Sequence, residues 1–206
     1  MIAGAPSPRP STASGVIALR RATAQDASRV LAWNNAADVR GRSIDPRPIA
    51  ADQHVRWFGD RLRDPRGAMW IALLDGCPVG VVRIDRPAPA SLSGPAGRAH
   101  RDLVVGRARR PSASDRAGQA DRGPGRISIV LDPSIRGRGL GRRVISLACA
   151  ADGGPVVAEI LADNHASQIA FEAAGFVREP APPAPAALAA RPVLRYQWRP
   201  RHVHVF

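Results

Sequence analysis

The apolar run Ile127-Ser128-Ile129-Val130-Leu131 leads through Asp132-Pro133-Ser134-Ile135 into Arg136-Gly137-Arg138-Gly139-Leu140-Gly141, and Val144, Ile145, Leu147 and Ala148 follow at helical spacing. This pattern predicts a strand, a tight turn and a helix in immediate succession. The glycines lack Cβ, so their backbone can turn sharply and approach a ligand closely. The helix behind them opens with free N–H groups and its positive dipole end, a setting that favours a diphosphate. Gly-Lys-Ser/Thr does not follow, which excludes a P-loop. The Gly-x-Gly-x-Gly spacing, with no acid at the expected distance on the next strand, excludes a dinucleotide fingerprint.

The rest of the chain supplies layers for this unit. Val16 to Arg20 reads as a first strand, and Thr23-Ala24-Gln25-Asp26 as a capping box opening a helix from about Ala24 to Asn34. After the loop Asp45-Pro46-Arg47-Pro48 a second helix runs to Asp64, stopped by Pro65 and Gly67. On it Val55, Phe58 and Leu62 share one face, and His54, Trp57 and Arg61 the adjacent one. Met69 to Leu74 and Pro78 to Ile84 are strands joined by Asp75-Gly76, a hairpin signal. Val156 to Leu161 is a further strand, Ser167 to Ala174 a helix, and Val193 to Trp198 a last strand beyond the Pro-Ala tract 180–190. The order β-α-α-β-β-insertion-β-α-β-α-β predicts an α/β (α+β) layer architecture. Residues 16–200 are expected to form one domain between tails 1–15 and 201–206.

Residues 87–125 break the pattern. Gly, Pro, Ser, Ala and Arg dominate, and Leu92, Leu103, Val104 and Val105 are the only large aliphatics there. So little apolar surface cannot offset the entropy of ordering, which predicts a low-complexity, disordered insertion.

The formal net charge is +13, a value that invites a nucleic-acid reading, yet all 30 basic residues are Arg. An all-Arg, Ala- and Pro-rich chain is equally explained by compositional bias, so nucleic acid is not the expected partner. Cys77 and Cys149 are too few for a disulfide framework or a zinc site, so no metal is expected. No apolar run approaches the ~20 residues of a membrane span, and residues 1–15 lack the apolar stretch of a signal peptide. The expected setting is the cytoplasm.

Arg136-x-x-Gly139-x-Gly141, with Asp132-Pro133 before it, resembles the R/Q-x-x-G-x-G/A motif of the GNAT superfamily of acetyltransferases. Asn164-His165-Ala166-Ser167 and Phe171-Glu172-Ala173-Ala174-Gly175-Phe176 are similar to that superfamily's next motif. The resemblance covers roughly Val16 to Trp198 outside the insertion. It implies the GNAT fold, a mixed and mostly antiparallel central sheet flanked by helices, with splayed strands at an acetyl-CoA site. It implies that the amides of Gly137, Arg138, Gly139, Leu140, Gly141 and Arg142, with Arg136, hold the coenzyme diphosphate. Ile129, Val130 and Leu131 would pair with the pantetheine arm and the acetyl carbonyl, and Asn164 and Phe171 would touch the coenzyme further along.

The implied reaction is attack of a neutral amine on a thioester. A base contributes typically ~10²–10⁴-fold to such a step. Glu159 resembles the glutamate base of ribosomal-protein N-terminal acetyltransferases, and Ser128 is a polar helper on the neighbouring strand. Where many members carry a tyrosine acid, this chain has Phe171, and its only tyrosine is Tyr196. Water, or unassisted departure of the thiolate, would then replace the acid.

Trp33-Asn34-Asn35, Arg40, Pro48-Ile49, His54, Trp57-Phe58 and Asp64-Pro65 resemble the amino-sugar acetyltransferases of pseudaminic-acid, nonulosonate and surface-polysaccharide pathways. This implies a primary amine on a UDP-linked amino-dideoxy sugar as acceptor, with Asn34, Arg40, His54 and Trp57 as its contacts. A bidentate Arg suits phosphate and an indole suits a base or sugar face. A protein or peptide N-terminal acetyltransferase, and a non-catalytic acyl-CoA-binding or nucleic-acid-associated module, are the other readings. A homodimer stays open.

Overall fold

The computed structural model describes residues 15–43, 45–86, 123–180 and 192–200. Residues 1–14 of the expected tail 1–15, the tail 201–206, residues 87–122 of the expected insertion, and residues 181–190 of the Pro-Ala tract with Arg191 lie outside the described residues, as does residue 44.

The elements are β1 (Ile17–Arg21), α1 (Ala27–Asn35), α2 (Ala37–Gly41), α3 (Ala51–Arg63), β2 (Ala68–Leu74), β3 (Cys77–Asp85), β4 (Gly125–Leu131), α4 (Leu140–Asp152), β5 (Val156–Leu161), α5 (His165–Ala173), β6 (Val177–Arg178) and β7 (Val193–Trp198). They form a seven-stranded sheet in the order β1-β2-β3-β4-β5-β7-β6. β4 and β5 are its parallel pair, and the other neighbours are antiparallel. This is the expected mixed sheet flanked by helices. No described helix is long and apolar enough to cross a membrane.

Alternation along the strands divides the core into two layers. On one face Trp70, Ala72, Val82, Ile84, Ile127, Val156, Ala158, Ile160 and Tyr196 pack with Leu140, Val144, Ile145 and Ala148 of α4 and Phe171 of α5. On the other, Met69, Ile71 and Val81 pack with Val30 and Trp33 of α1 and Phe58 of α3. Each fully buried aliphatic or aromatic side chain contributes about 1.5–3 kcal/mol relative to exposure. The second layer is the smaller, because α1 and α3 cover only part of their face.

Local chemistry explains the boundaries. The hairpin turn places Asp75 at φ 50° and Gly76 at φ 80°, with Leu74 opposite Cys77. That is the left-handed pair a two-residue hairpin requires. At the first helix, a single 3₁₀ turn (Ala24–Asp26) precedes α1. The Asp26 carboxylate takes the Thr23 N–H at 2.8 Å and a bidentate Arg20 at 2.6 and 2.8 Å. Helix α4 ends at Gly153, φ 75°, whose N–H donates to the Cys149 carbonyl at 2.9 Å. There Arg86, at the end of β3, grips Asp152 at 2.5 and 2.7 Å, with both side chains under a tenth exposed (8% and 6%).

Three expectations need correction. Gly125 belongs to β4 and not to the insertion. A Cβ there would lie 2.5 Å from Ile84 Cγ2, so the glycine is required for β4 to lie against β3. On α3 the buried stripe is His54 and Phe58, while Val55 is 60% exposed. Leu147 is likewise on the outer side of α4. Two short elements, α2 and β6, have no counterpart in the expected order.

Candidate active site

The parallel pair β4–β5 is short. Gly125 faces Val156 and Arg126 faces Val157, and the ladder stops there, whereas β4 pairs with β3 as far as Leu131 opposite Gly80. From Ser128 to Leu131 the β5-facing edge of β4 therefore has no ladder partner on β5. Ile129, Val130 and Leu131 line this opening, all of them partly exposed. Unpaired edge N–H and C=O groups are a template for an extended ligand.

The strand runs from this split into the glycine turn. Gly137 and Gly139 have φ 71° and 70°, and a Cβ at either would find no atom within 4 Å. Their glycines are thus required by conformation, and the space outside them is open. Gly139 is the N-cap of α4, so the first N–H groups of a 13-residue helix face the turn. Arg138 and Arg142 are exposed beside it, and Leu140 is anchored in the core. Gly141 sits against Ala170 of α5 and Leu131.

Two ties hold this turn to α1 and α2. Asp132 accepts the Ser134 N–H at 2.9 Å, the Ser134 hydroxyl at 2.6 Å and the Trp33 indole N–H at 3.1 Å. Burial opposes ionisation of Asp132, and these donors outweigh it, so its carboxyl stays below the usual range. Arg136 donates from Nε to the Leu131 carbonyl at 2.8 Å and pairs with Asp38 of α2. Its guanidinium braces the turn from behind.

On the second coenzyme motif, Asn164 is the N-cap of α5, accepting the Ser167 N–H at 3.3 Å. Phe171 is 3% exposed and meets Phe176 edge to face at 4.9 Å. It is a core residue, which corrects the expected coenzyme contact. Tyr196 is fully buried on the α4–α5 face and donates its hydroxyl to Glu172 at 3.1 Å. Burial and Glu172 raise its phenol above the ordinary value, so it is a poor proton donor to anything across the sheet.

The expected acceptor residues separate into two groups. His54 is 1% exposed, with Nε2 3.0 Å from the Ala27 carbonyl. Burial lowers its imidazole below the usual range, so Nε2 carries the proton of a neutral ring and donates it. It pins α3 to the start of α1 and cannot touch a substrate, which corrects that expectation. Arg40 holds the 42–50 loop through the Arg47 carbonyl (3.0 Å) and Ser43 Oγ (2.6 Å). Asn35, next to the expected Asn34, clamps Ile49 in both directions at 2.9 Å. Asn34 and Trp57 are partly exposed.

Trp57 leads to residues that the sequence reading passed over. The Arg83 guanidinium lies over its ring at 4.8 Å. Arg83 on β3 is opposite Ser128 on β4, and Glu159 on β5 is level with Ser128, two residues beyond the last β4–β5 pair. Arg195 on β7 is opposite Glu159. One polar row, Arg83–Ser128–Glu159–Arg195, therefore crosses the sheet where β4 and β5 part. Arg126 lies beside it and binds Glu159 at 2.8 Å on an exposed surface. The signal was present in β3: Arg83 and Asp85 alternate with the fully buried Val82 and Ile84, and so fall on the face where Val81 is apolar and buried. Among the described residues, no group of three or more His, Cys, Asp or Glu could hold a metal ion.

Comparison with known proteins agrees with this architecture. No curated protein matches the chain by sequence. Among solved structures, aminoglycoside acetyltransferase AAC(6')-Ib in complex with coenzyme A is similar at TM-score 0.62 and 17% identity, over 89% of this chain and 95% of that one. Spermidine N-acetyltransferase from Vibrio cholerae, in complex with CoA and spermine, gives 0.61 and 13% over 89% and 95%. YncA, a putative acetyltransferase from Salmonella typhimurium with its cofactor acetyl-CoA, gives 0.58 and 17% over 89% and 93%. At these identities the likeness shows the fold. The model of the acetyltransferase (GNAT) family matches residues 27–176. With the split strands and the glycine turn in place, the chain belongs to the acetyltransferase (GNAT) family and is an acetyl-CoA-dependent acyltransferase.

Proposed function

We propose that this acetyltransferase acetylates the primary amine of a nucleotide-linked amino sugar, as a single domain spanning residues 16–200 and acting in the cytoplasm. The observation that carries the reading is the polar row at the β4–β5 split, which runs from Arg83 beside Trp57 of α3 out to β5. Donor and acceptor then meet from two directions. The amides of Gly137 to Arg142 hold the coenzyme diphosphate, and the free edge of Ile129 to Leu131 holds the pantetheine arm. The amine comes from the open face, beside Ser128 and Glu159.

Glu159 is the group on that face suited to take a proton from the substrate ammonium, directly or through water on Ser128, which frees the neutral amine for attack. Its side chain is exposed there, beside Arg126. With Phe171 and Tyr196 both in the core, the departing thiolate takes its proton from water. Trp57 and Asn34, both partly exposed, and the Arg40-held loop flank the acceptor side and suit a sugar with an aromatic base.

Steady-state assays with a UDP-linked amino-dideoxy sugar and an alanine-terminated peptide test the substrate. The proposal expects kcat/KM for the sugar to exceed that for the peptide at least tenfold. The reverse preference transfers the function to N-terminal acetylation.

A further inference from the structure

We infer that Arg83 is a specificity-determining residue, which binds an anionic group, phosphate or carboxylate, carried by the amine substrate. This rests on the reading of the Arg83–Ser128–Glu159 face as the acceptor side.

Arg83 stands mid-strand between fully buried Val82 and Ile84, with a side chain 22% exposed, and its guanidinium stacks on Trp57. Its nearest carboxylate is Asp85, at 3.4 Å from Nε. A well-made charge-assisted bond is about 2.7–2.9 Å long. Asp85 is also shared with Arg61, at 3.5 Å. The surrounding anions are committed elsewhere. Asp64 binds Arg66 through two bonds of 2.9 Å, and Glu159 binds Arg126 at 2.8 Å. Among the described residues the cluster sets four guanidiniums (Arg61, Arg66, Arg83, Arg126) against three carboxylates (Asp64, Asp85, Glu159), an excess of one positive charge.

Arg83 is the least exposed of the four arginines. Burial lowers the Arg83 pKa from its ordinary value, although an arginine remains charged. A half-buried cation with one loose partner is costly to hold, and an incoming anion relieves that cost. Trp57 packs against the guanidinium and restrains it, and a guanidinium can meet a phosphate or carboxylate in bidentate fashion.

Position sets the spacing. Arg83 is level with Ser128 and one strand away from the split where the amine must attack, a distance of roughly 5–10 Å by strand spacing. The acceptor is therefore a compact molecule whose amine and anionic group lie a few bonds apart. A sugar phosphate fits, and so does an amino acid with a side-chain amine. Polycations such as spermine or an aminoglycoside bring the wrong sign to this surface.

The test compares wild type, Arg83→Gln and Arg83→Lys on three acceptors: a UDP-amino sugar, the same amino sugar as its neutral methyl glycoside, and spermine. Arg83→Gln should lower kcat/KM for the anionic acceptor roughly 10- to 100-fold. It should act mainly through KM, with acetyl-CoA KM unchanged and the glycoside affected less than threefold. Arg83→Lys should recover part of the loss. Equal losses on charged and neutral acceptors, or wild-type preference for spermine, would overturn the inference. A calorimetric titration with inorganic diphosphate, on enzyme saturated with coenzyme A, requires no known acceptor. Wild type should bind and folded Arg83→Gln should not; equal binding rejects the role. Should the UDP-sugar be inert while diphosphate still binds in an Arg83-dependent way, the nucleotide-sugar reading fails and the anion site stands.

Discussion

Around Gly137 and Gly139 the groups that face a ligand are backbone amides, supplied by six consecutive residues and a helix end. Across the split, at Arg83, Ser128 and Glu159, they are side chains from three strands brought level by register. The first region depends on conformation: φ near +70° at two glycines, a free strand edge and a helix start. The second depends on which residues the pleat turns outward, and on α1 and α3 covering β2, β3 and the Val130 part of β4 while leaving β5 uncovered. A site made of backbone is sensitive to a residue that cannot hold φ near +70° and to a misplaced charge. A site made of side chains changes specificity one residue at a time while its scaffold persists.

The largest expected effect falls on the backbone region. Gly139→Asp introduces a non-glycine residue at φ 70° and a carboxylate into the diphosphate cradle. Acetyl-CoA binding measured by calorimetry should be lost, at least ~10³-fold, in a protein that still unfolds cooperatively. Unchanged affinity would place the coenzyme elsewhere.

A smaller loss is expected across the split. Glu159→Gln keeps shape and removes basicity, so kcat should fall ~10²-fold, with partial recovery at high pH where more amine is neutral. Acetyl-CoA affinity should hold. A wild-type rate with an unshifted pH profile would leave Glu159 as the partner of Arg126 and nothing more.

Smaller still for activity is the tie that joins β3 to α4 away from both regions. Asp152→Ala strands the Arg86 guanidinium, whose Nε already lacks a partner among the described residues. It should cost about 3–5 kcal/mol of stability in denaturant unfolding, with KM for acetyl-CoA nearly unchanged. A loss under 1 kcal/mol would mean that water reaches the pair.

The two regions also differ in how far the sequence revealed them. β5 and β7 have the boundaries their apolar runs predict, and Asp75-Gly76 makes the hairpin it signals. The glycine turn was legible because a positive φ leaves a mark on residue choice. Gly125 was misplaced because its glycine answers to Ile84 across the ladder, a tertiary reason that local composition conceals. His54 looked like a ligand contact because an imidazole is polar, yet one hydrogen bond to Ala27 lets it serve as a core residue. Arg83 was overlooked since its meaning arises from Trp57, 26 positions earlier in the chain, and from the strand opposite. Asp132 and Trp33 each stood in a recognised motif, but the bond between them spans 99 positions.

Amide hydrogen exchange with and without acetyl-CoA tests the backbone account most directly. The account predicts slowed exchange at residues 128–131 and 137–142 on binding, with α3 and the Arg83 strand near Asp85 little changed. Protection concentrated on α3 and β3, with residues 137–142 exchanging as freely as before, would contradict it.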